Sequence, residues 1–176
     1  MLGVSVMAIN VPKEYEVPLY LFHQGKNAEA YKLFGSHFAE KDGVRGVVFR
    51  VWAPKAADVS VVGDFNHWNR EESYMKKISD GGIWELFIPG LKKFDNYKYS
   101  IKTERGQIKL KADPYGYHME TRPNTASKVY DISGYNWKDS KWMDEKKTKD
   151  VYRSPMNIYE VHLNSWFTKT DEEELF

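Results

Sequence analysis

The feature that most constrains this chain is a series of short β-branched and aromatic runs separated by turn residues, extending from Gly43 to Ile132. Alternation of this kind is typical of strands joined by tight turns in all-β proteins. Strands are predicted at the following runs: Val47–Trp52, Asp58–Gly63, Ile83–Ile88, Asn96–Lys102, Gln107–Lys111 and Lys128–Ile132. This number of short strands predicts a mainly β fold, an immunoglobulin-like antiparallel β-sandwich.

Side-chain alternation predicts which residues of these strands face the core. In the run Asn96–Lys102 the apolar side chains occupy every second position, which places Lys98 on the solvent side. The next run is predicted to repeat the pattern with Ile108 and Leu110 directed inward. A hairpin turn joins the two runs, and Gly106 supplies the positive φ that such a turn needs.

The segments before and after the sandwich lack its pattern of short strands and turns. The stretch Val17–Phe38 carries an apolar stripe at helical spacing, interrupted at Gly25. The apolar run Met156–Leu163 is predicted to be a buried strand of a further domain that this chain does not contain. The predicted organisation is a helical segment, the sandwich, a linker and the truncated start of another domain at residues 1–40, 41–135, 136–155 and 156–176, respectively.

Composition narrows the function classes. Twenty-six basic and 25 acidic residues leave a net charge of +1, which gives no electrostatic case for a nucleic-acid partner. The chain has no cysteine and its five histidines show no ligand spacing, so neither a metal nor a cofactor is expected. The apolar start Met1–Asn10 is too short to span a bilayer, so no membrane partner is expected, and a soluble cytoplasmic protein is predicted.

Three ordered motifs within the predicted sandwich identify a family. They closely resemble the family-48 carbohydrate-binding modules that precede the barrels of branching and debranching enzymes, and they lie at Phe49–Pro54, Val61–Trp68 and Gly82–Leu86. Further motifs resemble bacterial 1,4-α-glucan branching enzymes in particular, at Tyr20–Gly25, Lys111–Gly116, Arg122–Pro123, Thr125–Ser127 and Ile158–Trp166. The resemblance covers residues 18–166 in order.

This resemblance implies a role in glycogen biosynthesis. Enzymes of the family cut an α-1,4-glucan and rejoin the piece through an α-1,6 bond, using a carboxylate nucleophile and a carboxylic general acid on later barrel strands. A complete (β/α)8 barrel takes about 250 residues, whereas only residues 156–176 follow Pro155. No catalytic residue is therefore assigned, Glu160 is taken as structural, and the chain alone is expected to be inactive. Its expected partners are α-1,4-glucan and the missing barrel.

Four residues are candidates for glucan binding by this resemblance. Trp68 follows a strand in a polar loop and matches a tryptophan that stacks on sugar rings, although it could instead fold back into the loop. Lys98 matches a lysine that hydrogen-bonds glucan hydroxyls. It could equally be a solvated surface lysine, since Lys109 and Lys111 of the next strand are predicted to share its face. Asn66 and Asn69 could add amide hydrogen bonds, but asparagine is also common in turns.

The binding predicted from these residues is weak. Glucan-sensing relatives carry a second tryptophan in the hairpin after the lysine strand, where this chain has Gln107 and Ile108. Burial of one aromatic side chain contributes about 1.5–3 kcal/mol, whereas a complex with a dissociation constant of about 1 mM requires about 4 kcal/mol. Affinity in the millimolar range or weaker is expected.

The other tryptophans are predicted to have packing roles. Trp52 and Trp84 lie within strands and are assigned to the core or to a domain contact. Trp137, Trp142 and Trp166 are expected to pack against the barrel.

Three functions remain open at this stage. The chain is the N-terminal part of a branching enzyme, an autonomous glycogen-binding module, or a non-binding spacer that orients the barrel. The first is favoured because the run Met156–Leu163 has no use in an autonomous module.

Overall fold

The computed structural model describes residues 13–162. The chain forms two compact units, Met1–Ser133 and Gly134–Phe176. The described part of the first unit begins with helix α1 (Lys13–His23) and a 3-10 turn (Ala30–Lys32). Its strands are β1 (Gly35–Lys41), β2 (Val44–Trp52), β3 (Ala56–Gly63), β4 (Lys76–Ser79), β5 (Ile83–Pro89), β6 (Asn96–Thr103), β7 (Ile108–Lys111), β8 (His118–Met119) and β9 (Ser127–Lys128).

The strands form two antiparallel sheets, which confirms the predicted mainly β fold. One sheet has four strands in the order β1-β2-β5-β4, and the other has five, in the order β3-β6-β9-β8 with β7 also paired to β6. The main core cluster draws buried residues from strands of both sheets, among them Phe49 of β2, Val61 of β3, Trp84 of β5 and Tyr97 and Tyr99 of β6. The predicted inward direction of the β6 tyrosines is therefore confirmed.

The two strand tryptophans differ in burial. Trp84 belongs to the core, and its Nε1 donates to the carbonyl oxygen of Ala53 over 3.0 Å. Trp52 is half exposed, donates from Nε1 to the carbonyl oxygen of Gly81 over 2.8 Å, and meets the ring of Phe22 edge-on. The packing assignment holds for Trp84, whereas Trp52 lies at the margin of the sheet.

A second cluster holds the N-terminal segment against the four-stranded sheet. Leu19 of α1 and Phe34 are buried in one cluster with Ile83 of β5. Arg50, whose neighbours on β2 point into the main core, emerges on this side, where its Nε donates to Glu85 Oε2 over 2.6 Å. The guanidinium carbon also lies 4.3 Å from the centroid of the Tyr15 ring. Apolar burial and the contacts of Arg50 thus attach the N-terminal segment to the four-stranded sheet.

The helical prediction for Val17–Phe38 is wrong in its second half. Helix α1 ends at His23, and Gly25 follows with φ of +67°. From Gly35 the chain forms β1, which pairs along its whole length with β2. The backbone groups along the edge of β2 need hydrogen-bond partners, and this requirement outweighs the local helical pattern of residues 35–38. The predicted domain boundary at residue 40 therefore falls inside β1.

The inward prediction for Ile108 and Leu110 is also wrong. Their side chains are 54% and 55% exposed. The register pairs Leu110 with Ser100 and Ile108 with Lys102, both of which point away from the core in β6. Directly paired residues in antiparallel strands share a face, so the register set by the hairpin puts the apolar pair outside.

Three further strand assignments change in the structure. Strands β4 and β8 have no counterpart in the sequence prediction, and the last strand of the sandwich covers Ser127–Lys128 where Lys128–Ile132 was expected. All three are short strands whose extent depends on a neighbour's edge, since β4 pairs with β5 and β9 pairs with β6 and β8.

The second unit contains a helix where a linker was predicted. Helix α2 spans Ser140–Thr148 and a 3-10 turn spans Val151–Arg153. Residues 156–162 form no strand and their apolar side chains, such as Ile158, are exposed. The predicted strand is not observed in residues 156–162, while its assignment to a further domain stays a prediction. Leu163 and Trp166 lie outside the described residues, while Trp137 and Trp142 are exposed.

Candidate functional site

The candidate site is built on the loop that leaves β3. A 3-10 turn at Asp64–Asn66 is followed by His67 and Trp68, with φ of +53° and +60°. A residue other than glycine in the left-handed region costs about 1–3 kcal/mol and persists only where surrounding contacts hold it. Two such residues in succession indicate a loop whose shape is imposed by specific interactions.

Asn66 supplies those interactions from inside the loop. It is 3% exposed, and its Oδ1 accepts from the Gly63 backbone N–H over 2.9 Å. Its Nδ2 donates to the carbonyl oxygen of Val61 over 2.9 Å and to Ser73 Oγ over 3.1 Å. Both ends of the amide are engaged beneath the surface, so Asn66 holds the shape of the loop. Its predicted glucan contact stays a prediction.

Trp68 is presented at the surface by this loop. Its side chain is 39% exposed, and its Nε1 donates to Asp64 Oδ1 over 2.9 Å. The other carboxylate oxygen, Asp64 Oδ2, accepts from Asn96 Nδ2 over 2.8 Å. The polar edge of the indole is therefore fixed to the start of β6, and the ring is not folded into the loop interior.

Lys98 lies on the same face of the five-stranded sheet. It pairs with Val62 of β3 and stands two positions after Asn96, so the side chains of Asn96 and Lys98 point the same way. Lys98 Nζ donates to Thr125 Oγ1 over 2.8 Å. Thr125 was not a candidate from its residue type, although it falls within one of the branching-enzyme motifs.

The lysines of β7 do not share this face. Lys109 and Lys111 pair with Ile101 and Tyr99, the inward-pointing residues of β6. The prediction that Lys109 and Lys111 share the face of Lys98 is wrong, because the register brings the apolar residues of β7 to the outer face instead. Lys98 is thus distinguished from its neighbours on the following strand.

Asn69 lies exposed at the end of the loop. Its Nδ2 donates to Glu72 Oε1 over 2.9 Å, and its Oδ1 accepts from the Glu71 backbone N–H over 3.1 Å. These contacts are local and solvent-accessible, so water or a ligand hydroxyl can replace them. Asn69 therefore follows Trp68 in the chain as an exposed polar residue.

Arg70 braces the loop against the sheet, a role that sequence reasoning did not identify. Its Nε donates to Ser100 Oγ over 3.3 Å, its Nη2 forms an ion pair with Asp58, and its carbonyl oxygen accepts from Ser60 Oγ over 2.6 Å. The guanidinium also lies 5.5 Å from the Tyr74 ring centroid. No local sequence pattern signals this role, since its partners come from two strands.

The buried carboxylate of the first unit belongs to the core. Asp113 is 4% exposed, and its Oδ2 accepts from the hydroxyls of Tyr97 and Tyr99 over 2.7 and 3.0 Å. Its Oδ1 accepts from the Tyr115 backbone N–H over 2.8 Å, which closes a turn at Asp113–Tyr115. Burial raises the pKa of Asp113 above its ordinary value, and the hydrogen bonds that it accepts oppose this shift. The group has structural partners on both oxygens.

Membrane-spanning helices and metal-binding side-chain groups are both missing from residues 13–162. No helix there has the length and apolarity needed to cross a membrane. In the same range, no group of three or more His, Cys, Asp or Glu side chains is placed to hold a metal ion.

Comparison with known proteins identifies both the module and its wider context. Residues 33–116 match the family described as carbohydrate-binding module 48 (isoamylase N-terminal domain). The 1,4-alpha-glucan branching enzyme GlgB of Bacillus subtilis (strain 168) is 50% identical over 165 residues, which cover 94% of this chain and 26% of that protein. The GlgB of Bacillus cytotoxicus is 51% identical over 156 residues, covering 89% of this chain and 24% of that protein.

The extent of these matches defines what the likeness covers. The chain spans about a quarter of the length of the curated relatives that it matches. Trp68, Lys98, Asn66 and Asn69 all lie inside the range of the module, and Thr125 lies beyond it. Residues 33–116 are therefore a carbohydrate-binding module 48 domain, and the chain is similar to the N-terminal quarter of the GlgB branching enzymes.

Proposed function

We propose that the outer face of the five-stranded sheet binds an α-1,4-glucan around Trp68 and Lys98. The observation that carries this proposal is the half-exposed indole of Trp68. Asp64 holds its polar edge and also bonds Asn96, which lies on the same face as Lys98. A sugar ring presents apolar C–H faces and a rim of hydroxyls, so it needs a flat aromatic surface with polar groups beside it. This face supplies both.

Each residue has a separate part in the proposed contact. The Trp68 ring stacks on one glucose unit, and the ammonium of Lys98 donates to a hydroxyl that can also meet Thr125. Asn69 exchanges its local hydrogen bonds for ligand hydroxyls. Asn66 keeps the loop in its strained shape.

Weak affinity forms part of this proposal. The hairpin that follows the Lys98 strand carries no second tryptophan. Stacking of one ring together with a few exchanged hydrogen bonds contributes roughly the 4 kcal/mol of a millimolar complex. A weak module is useful where the enzyme works on a polymer with many equivalent sites, because it raises the local substrate concentration without slowing release.

The wider role follows from the relatives. We infer that this sequence serves α-1,4 to α-1,6 glucan transfer in glycogen biosynthesis as the N-terminal part of a branching enzyme, in the cytoplasm. The likeness to GlgB proteins over 94% and 89% of this chain supports this role. The transfer itself requires a catalytic barrel, of which residues 156–176 are proposed to be the start. Two alternatives compete with it, namely an autonomous glycogen-binding module and a spacer without glucan affinity.

Co-sedimentation with glycogen tests the binding face. The chain is expected to be retained weakly, Trp68→Ala to lose retention, and neither to show branching activity. Phe38→Ala is a matched control, because Phe38 is an exposed aromatic residue on the other sheet. If the folded chain is not retained at all, the module is a spacer and the proposed site is wrong.

A further inference from the structure

A cluster of three aromatic rings lies close to the proposed binding site. The centroids of Phe94 and His118 are 5.5 Å apart, those of Phe94 and Tyr130 are 5.5 Å apart, and those of His118 and Tyr130 are 5.1 Å apart. The ammonium of Lys93 stands 3.9 Å from the centroid of the Tyr130 ring. Phe94 is 52% exposed, although its ring has these partners.

The strand register places this cluster on the outer face of the five-stranded sheet. Asn96 of β6 pairs with Lys128 of β9, and Lys128 pairs in turn with His118 of β8. Directly paired residues share a face, so His118 points the same way as Asn96 and Lys98. The aromatic cluster therefore shares a face with Lys98 and with the Trp68 loop.

One hydrogen-bonded link connects Trp68 to the strand that follows Phe94. Asp64 accepts from the Trp68 indole on one oxygen and from Asn96 on the other. Phe94 precedes Asn96 by two residues, so the Cα atoms of these two residues are at most about 7 Å apart. Both exposed side chains are therefore placed around Asn96 on this face.

The backbone holds the Phe94 ring away from the core. Phe94 has a φ of +77°, an uncommon conformation for a bulky residue. Its N–H donates to the carbonyl oxygen of Val129 over 2.8 Å, and the Val129 N–H donates to the carbonyl oxygen of Asp95 over 2.9 Å. An apolar side chain that is kept exposed by a strained and hydrogen-bonded backbone suggests a binding role.

We propose that Phe94, backed by His118 and Tyr130, is a second stacking position for the α-1,4-glucan that binds at Trp68. The ligand is a further glucose unit of the same chain, and the Lys93 ammonium at the rim donates to its hydroxyls. This inference rests on the proposed glucan binding at Trp68 and Lys98. It extends the site along the sheet in the direction opposite to the β6–β7 hairpin, where no second aromatic residue occurs.

Titration with oligosaccharides of two lengths separates the two positions. Phe94→Ala is expected to weaken binding of maltoheptaose about fivefold, the order of one aromatic contact, and to leave maltotriose binding unchanged. Trp68→Ala is expected to weaken both. Phe94→Tyr, which keeps a ring, should restore maltoheptaose binding, and Phe38→Ala should match the wild-type chain for both sugars.

Each other result overturns a different statement. If Phe94→Ala binds maltoheptaose as the wild type does while Trp68→Ala loses it, the second position is wrong and the proposed site stands. If the wild-type chain binds neither sugar, the proposed function itself fails. Circular dichroism of each variant shows whether a loss of binding reflects a loss of fold.

Discussion

The indole Nε1 of Trp68 and the carboxylate of Asp64 form a hydrogen bond of 2.9 Å across a loop in which Trp68 has a left-handed backbone. Asp64 also accepts from Asn96 at the start of β6. The exposed indole of the loop is thus tied through one carboxylate to the strand that carries Lys98. This link makes the orientation of the ring depend on Asp64.

Replacing Asp64 should therefore weaken glucan binding although no proposed contact is removed. Asp64→Ala leaves the Trp68 indole without its acceptor, and loss of one such hydrogen bond is worth about 1 kcal/mol. We expect maltoheptaose affinity to fall about fivefold, as measured by isothermal titration calorimetry. Asp80→Ala is the control, since Asp80 is an exposed aspartate in the turn between β4 and β5 of the four-stranded sheet. Unchanged affinity for Asp64→Ala would show that the ring does not need this anchor.

Asn66 and Asn69 should separate stability from binding. Asn66→Ala leaves the Gly63 N–H and the Val61 carbonyl without their partner in a buried site, a loss of about 3 kcal/mol in the free energy of unfolding. Asn69→Ala removes exposed contacts and should change stability by less than about 0.5 kcal/mol. Urea denaturation measures both. The positioning role of Asn66 would be refuted if Asn66→Ala kept full stability and lost only affinity.

Arg50 should carry much of the attachment of the N-terminal segment. Its side chain is 8% exposed and holds Glu85, the Leu33 carbonyl and the face of Tyr15. Arg50→Ala leaves a partly buried carboxylate unpaired and is expected to lower the free energy of unfolding by about 3 kcal/mol.

Arg45 is the matched control for Arg50. It lies on the same strand, but its side chain is 92% exposed and its ion pair with Glu40 spans 3.7 Å. Arg45→Ala should cost less than about 0.5 kcal/mol. Equal effects of the two substitutions in denaturant unfolding would contradict a special role for Arg50.

Asp113 should make stability depend on pH in a defined direction. Burial raises its pKa above the ordinary value of 3.8, so the folded chain holds this proton more tightly than the unfolded chain. Between the two pKa values the folded state binds more protons, and its stability falls as the pH rises. The stability of the wild type relative to Asp113→Asn should therefore decrease as the pH rises from about 3.8 through the pKa of the folded state. Urea denaturation of both proteins over this range measures the difference, and a rise would contradict the shift.

Prediction from the sequence was most accurate for the central strands. The alternation at β6 correctly placed Tyr97 and Tyr99 in the core, because a strand with one buried face carries that information in its own residues. The module family was likewise predicted correctly from short motifs in the expected order. Prediction failed at β1 and at Ile108 and Leu110, since conformation and face there depend on a partner strand.

The candidate site shows the same division. Residue type and motif pointed to Trp68 and Lys98, and the structure places both on one face. Residue type alone could not distinguish Asn66 from Asn69, of which one is buried and the other exposed. The sequence did not predict the stabilising hydrogen bonds of Asp64 and Arg70, because their partners, Asn96 and Ser100, are about 30 positions away in the chain.

By itself, the sequence determined the all-β character of this protein, its module family and the aromatic and basic residues available for binding a sugar. These properties reside in local periodicity and in short motifs, each contained within a few neighbouring residues. The tertiary structure decided the pairing of β1, the outward register of β7, the burial of Asn66 and the gathering of Phe94, His118 and Tyr130 on the Trp68 face. Those outcomes depend on which distant strands meet and in what register, and no local pattern specifies that.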